Sequence, residues 1–81
     1  MKIHVKMFAV LRERSGCAET VLELPAGSTV RDATSILTRH YPGIIDLLPR
    51  AATAVNLEKS DGRTVLGDGD ELALIPPVSG G

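Results

Sequence analysis

The stretch Ser28-Thr29-Val30-Arg31-Asp32-Ala33-Thr34-Ser35-Ile36-Leu37-Thr38-Arg39-His40 decides how the remaining residues are arranged. Val30, Ala33, Ile36 and Leu37 recur at helical spacing, while Arg31, Asp32, Ser35 and Arg39 fall on the other side. That is one amphipathic helix with a single face to bury. Thr29 stands where a hydroxyl can accept an early backbone N–H. Asp32, three residues on, completes a capping box at the positive end of the dipole. The helix is expected to end near His40, because the residue before Pro42 is driven out of the α region.

Everything around this helix reads as short strands. Toward the N-terminus, Ile3, Val5 and Met7 alternate with Lys2, His4 and Lys6, the period of a strand with one face buried and the other solvated. Residues 9–15 lose that alternation and suggest a helical turn closed by Gly16. A second strand is expected from Thr20 to Leu24, stopped at Pro25-Ala26-Gly27, and antiparallel to the first. Toward the C-terminus, Ile44, Ile45, Leu47 and Leu48 form an apolar knot between prolines that suggests one helical turn. Residues 53–58 predict a third strand, with Asp61-Gly62 as its turn and Thr64-Val65 pairing back across it. After the turn Gly67-Asp68-Gly69-Asp70 comes a last strand, Glu71 to Ile75. One helix across a mixed sheet of four or five strands is an α+β arrangement, the β-grasp or ubiquitin-like architecture, with its first and last strands parallel at the centre. Residues 1–75 are expected to form this domain, and residues 76–81 a flexible tail.

Composition narrows the function. The 81 residues carry a net charge of −1 with one Phe, one Tyr and no Trp, which provides neither a basic footprint nor stacking platforms for nucleic acid. One Cys and two His fall short of a structural zinc site or an iron–sulfur cluster, so no metal is expected. The apolar runs are too short for a signal peptide or a membrane span, and the lone thiol fits the cytoplasm.

The last residues carry the chemistry. Pro76 and Pro77 cannot donate ladder hydrogen bonds, so the strand stops there and the backbone stays extended. Val78, Ser79, Gly80 and Gly81 follow. A Gly-Gly terminus threads a channel too narrow for any side chain and presents its carboxylate there. Termini also fray without purpose, but the Pro-Pro stop on this strand order favours a working arm.

The chain resembles the small subunit of molybdopterin synthase, a family of ubiquitin-like sulfur carriers. The matching stretches are Phe8-Ala9-Val10-Leu11-Arg12-Glu13 with Gly16, Thr29-Val30, Tyr41-Pro42-Gly43, Ala54-Val55-Asn56, and Gly69-Asp70-Glu71 running on to Ile75-Pro76-Pro77-Val78-Ser79-Gly80-Gly81. Residues 57–66 fit least well. The resemblance implies that a ubiquitin-activating type of adenylyltransferase, using MgATP, activates Gly81. A sulfur donor then converts it to a thiocarboxylate. The tail would enter a large synthase subunit, in a heterotetramer, and pass its sulfur to cyclic pyranopterin monophosphate. Catalytic groups would lie on the large subunit, with no cofactor bound by this chain. The same chemistry serves other acceptors in thiamin, cysteine and tRNA synthesis, or lysine conjugation. A passive ubiquitin-fold binding module is a further alternative.

The resemblance places Phe8, Arg12 and Ile75 on the docking surface. From its position alone, Phe8 fits either the core or an exposed contact beside the tail. Residues 1–16 carry four cations against Glu13, and residues 57–71 carry five carboxylates against Lys59 and Arg63, net +3 and −3. Cys17, His4 and His40 read as incidental, and Asp68-Gly69-Asp70-Glu71 as a turn lacking calcium-loop spacing.

Overall fold

The structure is a computed structural model that describes residues 1–77. Five strands form one sheet: β1 (Lys2–Met7), β2 (Glu19–Glu23), β3 (Ala52–Val55), β4 (Glu58–Ser60) and β5 (Glu71–Ile75), in the order β2-β1-β5-β3-β4. β1 and β5 are parallel and every other neighbouring pair is antiparallel. The first and last strands therefore meet at the centre, as the β-grasp expectation requires. The main helix, α2 (Val30–His40), packs on one face, and a shorter helix, α1 (Ala9–Ser15), links β1 to β2.

The β1 alternation is present as expected: Ile3, Val5 and Met7 are buried while Lys2 and His4 point outward. They join Leu22 of β2, Leu72 and Leu74 of β5, and Val30, Ala33 and Leu37 of α2 in a single core. Among the described residues a single helix layer covers one face of the sheet, and burial of each Val, Leu, Ile or Met side chain in this core contributes roughly 1.5–3 kcal/mol.

The capping box of α2 forms: the Asp32 N–H donates to Thr29 Oγ1 at 3.3 Å and the Thr29 N–H donates to Asp32 Oδ2 at 2.9 Å. The helix ends at His40, with the Tyr41 N–H donating to the Leu37 carbonyl at 2.8 Å before Pro42. Gly16 closes α1 in the left-handed region at φ 81°. β2 begins and ends one residue earlier than expected, and the apolar knot forms two short 3₁₀ turns, Pro42–Ile44 and Leu48–Arg50, instead of one helical turn.

The largest departure lies in residues 52–66. The chain reverses at Asn56-Leu57, with Val55 paired to Glu58, so the expected strand over 53–58 is in fact the two arms of a hairpin. Asp61-Gly62 does turn, but not to return a strand to β3. The turn brings the Thr64 and Gly62 carbonyls to the N–H groups of Val30 and Arg31, at 2.9 and 3.0 Å. Those are first-turn donors with no partner inside the helix. Val65 accordingly bridges to Thr29, and Leu66 enters the core.

Candidate functional site: the root of the tail and the open sheet face

Met7 is paired with Leu74. Because β1 and β5 are parallel, the residues after them, Phe8 and Ile75, continue side by side at the same end of the sheet. Phe8 keeps an extended backbone (φ −118°, ψ 155°), so by the alternation of the strand it joins Lys6 on the uncovered face. Ala9 then turns sharply at φ 49° into α1, a left-handed conformation that costs a residue with a Cβ about 1–2 kcal/mol. That bend ends the strand with Phe8 still facing out. Of the two settings open to Phe8, the structure selects the exposed one, at 45% accessibility, with Ile75 at 41%.

Arg12 lies one turn along α1, where its N–H approaches the Phe8 carbonyl at 3.4 Å. Phe8 and Arg12 line the same shallow depression, with Lys6 and Glu19 on its rim. The three residues expected on the docking surface are thus gathered at one end of the sheet, where β5 runs directly into Pro76 and Pro77. Pro76 is half-buried and Pro77 exposed. Val78, Ser79, Gly80 and Gly81 lie outside the described residues.

The open face has its own electrostatics. Lys6 Nζ lies 3.1 Å from Glu71 and 3.9 Å from Glu19, joining β2, β1 and β5. The hydrogen bond that Lys6 donates to Glu71, then the negative charge of Glu71, raises the Lys6 ammonium above its ordinary value. Beyond this triplet the middle of the face is small and uncharged. Ala73 pairs with both Lys6 and Ala54, and Ala52 pairs with Ile75, which puts all three alanines on the outward side.

At the opposite end of β5, Asp68-Gly69-Asp70-Glu71 is a turn, as expected. Its carboxylates bind backbone: Asp68 Oδ1 accepts the Lys2 N–H at 2.8 Å and Asp70 Oδ2 accepts the Gly67 N–H at 2.7 Å. Asn56 Nδ2 donates to Asp70 Oδ1 at 2.9 Å, and Asn56 Oδ1 accepts the Glu71 N–H at 3.0 Å. The Gly67 amide first, and Asn56 second, hold the Asp70 carboxyl below its ordinary range. Sequence reasoning passes over Asn56. Its one local signal is an asparagine directly after a strand, a residue that tolerates left-handed backbone.

The remaining candidates are not brought together. His4 is on the open face, His40 ends the helix on the covered side, and Cys17 is half-buried with its Sγ 3.9 Å from Ser15 Oγ. Among the described residues, no group of three or more His, Cys, Asp or Glu converges as a metal site, and no helix is long and apolar enough to cross a membrane.

A five-stranded β-grasp sheet with one face bare and its central strand ending in Pro-Pro is the frame of a ubiquitin-like protein. Within that class the chain belongs to the ThiS family, whose family model matches residues 5–81. It is 39% identical over 84 residues to the molybdopterin synthase sulfur carrier subunit of Mycobacterium tuberculosis, spanning all of this chain and 99% of that one. The crystal structure of SAMP1 from Haloferax volcanii superposes with a TM-score of 0.90 at 29% identity, covering all of both chains. A chain in the complex of subunits 1 and 2 of the molybdopterin-converting factor from Helicobacter pylori matches with a TM-score of 0.73 at 27% identity, again over both full lengths.

Proposed function

We propose that this chain is the sulfur carrier subunit of a molybdopterin synthase, working in the cytoplasm. The observation that carries the reading is full-length similarity to relatives of that name, including the mycobacterial subunit and one from Arabidopsis thaliana at 33% identity over 81 residues. The fold adds a physical reason. The tail leaves the sheet beside an exposed Phe8–Ile75 pair, so a partner that grips this patch receives the tail in a defined direction.

The chemistry assigned to the tail stems from the weakness of a carboxylate as an electrophile. An adenylyltransferase of the ubiquitin-activating type would join Gly81 to AMP, using MgATP and releasing pyrophosphate. The resulting mixed anhydride has a good leaving group. A persulfide sulfur attacks the carbonyl and expels AMP, and a second thiol cleaves the acyl disulfide to leave a thiocarboxylate. Pro76, Pro77, Val78, Ser79 and Gly80 would then lead Gly81 into a large subunit, in a heterotetramer. There the sulfur passes to cyclic pyranopterin monophosphate. Phe8, Arg12 and Ile75 would dock both partners, and residues 1–75 would act as the rigid handle for the tail 76–81. This chain would bind no cofactor of its own. The pairing of subunits 1 and 2 in the Helicobacter pylori complex supports a large-subunit partner.

The test is the intact mass of the chain after incubation with its activating enzyme, MgATP and a sulfur donor. A gain equal to one oxygen replaced by sulfur is expected. It should map to the peptide ending Ser79-Gly80-Gly81 and be absent without ATP. An unchanged mass with a demonstrably active enzyme and donor would refute the carrier role.

A further inference from the structure

The β3–β4 hairpin closes through two residues, Asn56 at φ 50° and Leu57 at φ 70°. Both occupy the left-handed region, as the primed turns of two-residue hairpins require, and the second position strongly favours glycine. Leucine there sets its Cβ against the neighbouring carbonyl. Burial does not compensate, since Leu57 is 88% exposed, more than any other large hydrophobic residue among those described. Glycine would suit the turn better on both counts, so neither the fold nor solubility accounts for this leucine.

The turn beneath it is stiff. The Asn56 N–H donates to the Glu71 carbonyl at 2.8 Å, and the Asn56 side chain clasps both Asp70 and the Glu71 N–H. An apolar side chain on a strained, braced backbone is preorganised for contact, which lowers the ordering cost of binding. Its surroundings indicate what it meets. Asp68 and Asp70 stand on the adjoining turn, two carboxylates against the one ammonium of Lys59 on the outward side of β4, so an apolar pocket with a basic rim toward that turn is the complement.

The topology connects this knob to the tail. β3 is antiparallel to β5, with Ala52 opposite Ile75 and Val55 opposite Leu72. Leu57 therefore lies at the end of the sheet away from Ile75, about 16 Å along β5 at the usual rise per residue. The outward alanines 73, 54 and 52 make a low path between the two ends, flanked by Lys6 opposite Ala73 and Lys59 opposite Ala54.

Resting on the carrier function, we propose that Leu57 is a second anchor for the large synthase subunit. That subunit lies along the alanine path, closing a basic-rimmed apolar pocket over Leu57 while it holds the tail at the other end.

Calorimetric titration of a purified large subunit with the full-length wild type, Leu57→Gly and Leu57→Met tests this, with thermal melts alongside. Leu57→Gly should melt at the same temperature or higher, because glycine accepts the left-handed turn, yet bind at least tenfold more weakly. Leu57→Met keeps an apolar knob and should bind within about threefold of wild type. Unchanged affinity for Leu57→Gly, or equal losses for glycine and methionine, would overturn the second anchor. If the wild type takes up sulfur at Gly81 and binds while Leu57→Gly binds equally well, only the anchor fails. If the wild type neither takes up sulfur nor binds, the carrier reading fails and the anchor with it.

Discussion

Replacing Asn56 tests whether the clasp between the β3–β4 hairpin and the turn before β5 holds the far end of the sheet together. Asn56→Ala removes two side-chain hydrogen bonds, at 2.9 and 3.0 Å, one of them to a carboxylate. At about 1 kcal/mol each they contribute about 2 kcal/mol. Alanine also bears the left-handed backbone at φ 50° less well than asparagine, adding about 1 kcal/mol. Water reaches both groups once they are freed, so the expected loss is about 2–3 kcal/mol. For a domain of this size that lowers the melting temperature by roughly 10–20 °C. Asn56→Gly loses the same bonds but accepts the backbone, and should cost only about 1–2 kcal/mol. The assay is urea denaturation monitored by circular dichroism, with the slope checked for constancy. A loss below about 0.5 kcal/mol for alanine would refute the clasp as a stabilising element. Equal losses for alanine and glycine would refute the backbone share of the reasoning.

Leu37 is fully buried in α2 against the sheet, so Leu37→Ala should cost roughly 2–5 kcal/mol and bring the domain near unfolding at 37 °C, measurable by calorimetry. Stability should also depend on pH at both extremes. The Asp70 carboxyl is depressed, so its contribution is complete above the ordinary value of 3.8 and disappears as pH falls through its folded value; Asp70→Asn should flatten that acid limb in melts across pH. Lys6 is raised by Glu71, so its contribution is complete below 10.5 and is lost as pH rises beyond that, a limb that Lys6→Met should remove.

The parts legible in the sequence share a cause: their signals are local and repeat. Thr29 and Asp32 announce the start of α2 because a capping box needs only four residues. The β1 pattern announces a two-faced strand because its alternation runs unbroken from Lys2 to Met7. Pro76 and Pro77 announce the end of β5 because proline cannot extend a central strand. The hairpin is illegible for the opposite reason. Leu57 stands where glycine usually marks such a turn, so the apolar residue reads as more strand and shifts the expected reversal to Asp61-Gly62. The true role of residues 62–64, capping the first turn of α2, depends on a contact across more than thirty positions that no local pattern encodes. Phe8 is undecided in the sequence because it lies between β1 and α1, where the strand's alternation need not continue. Its extended backbone, which carries the alternation one residue past Met7, and its exposure show it to be outside.

The parallel pairing of β1 with β5 also bears on how the chain is made. His4 must find Glu71, and β5 must slot between β1 and β3, two strands already synthesised. Such distant partners make sheet closure slow and concerted, with loop-closure entropy spent before the contacts that offset it exist. A nascent chain that has emerged only as far as β4 has no central strand and leaves Leu72 and Leu74 out of its core. The segment proposed to be activated is contiguous with the strand that completes the fold. On the proposed function, an activating enzyme gripping Phe8 together with Ile75 would therefore meet its docking surface only on a molecule that has finished folding.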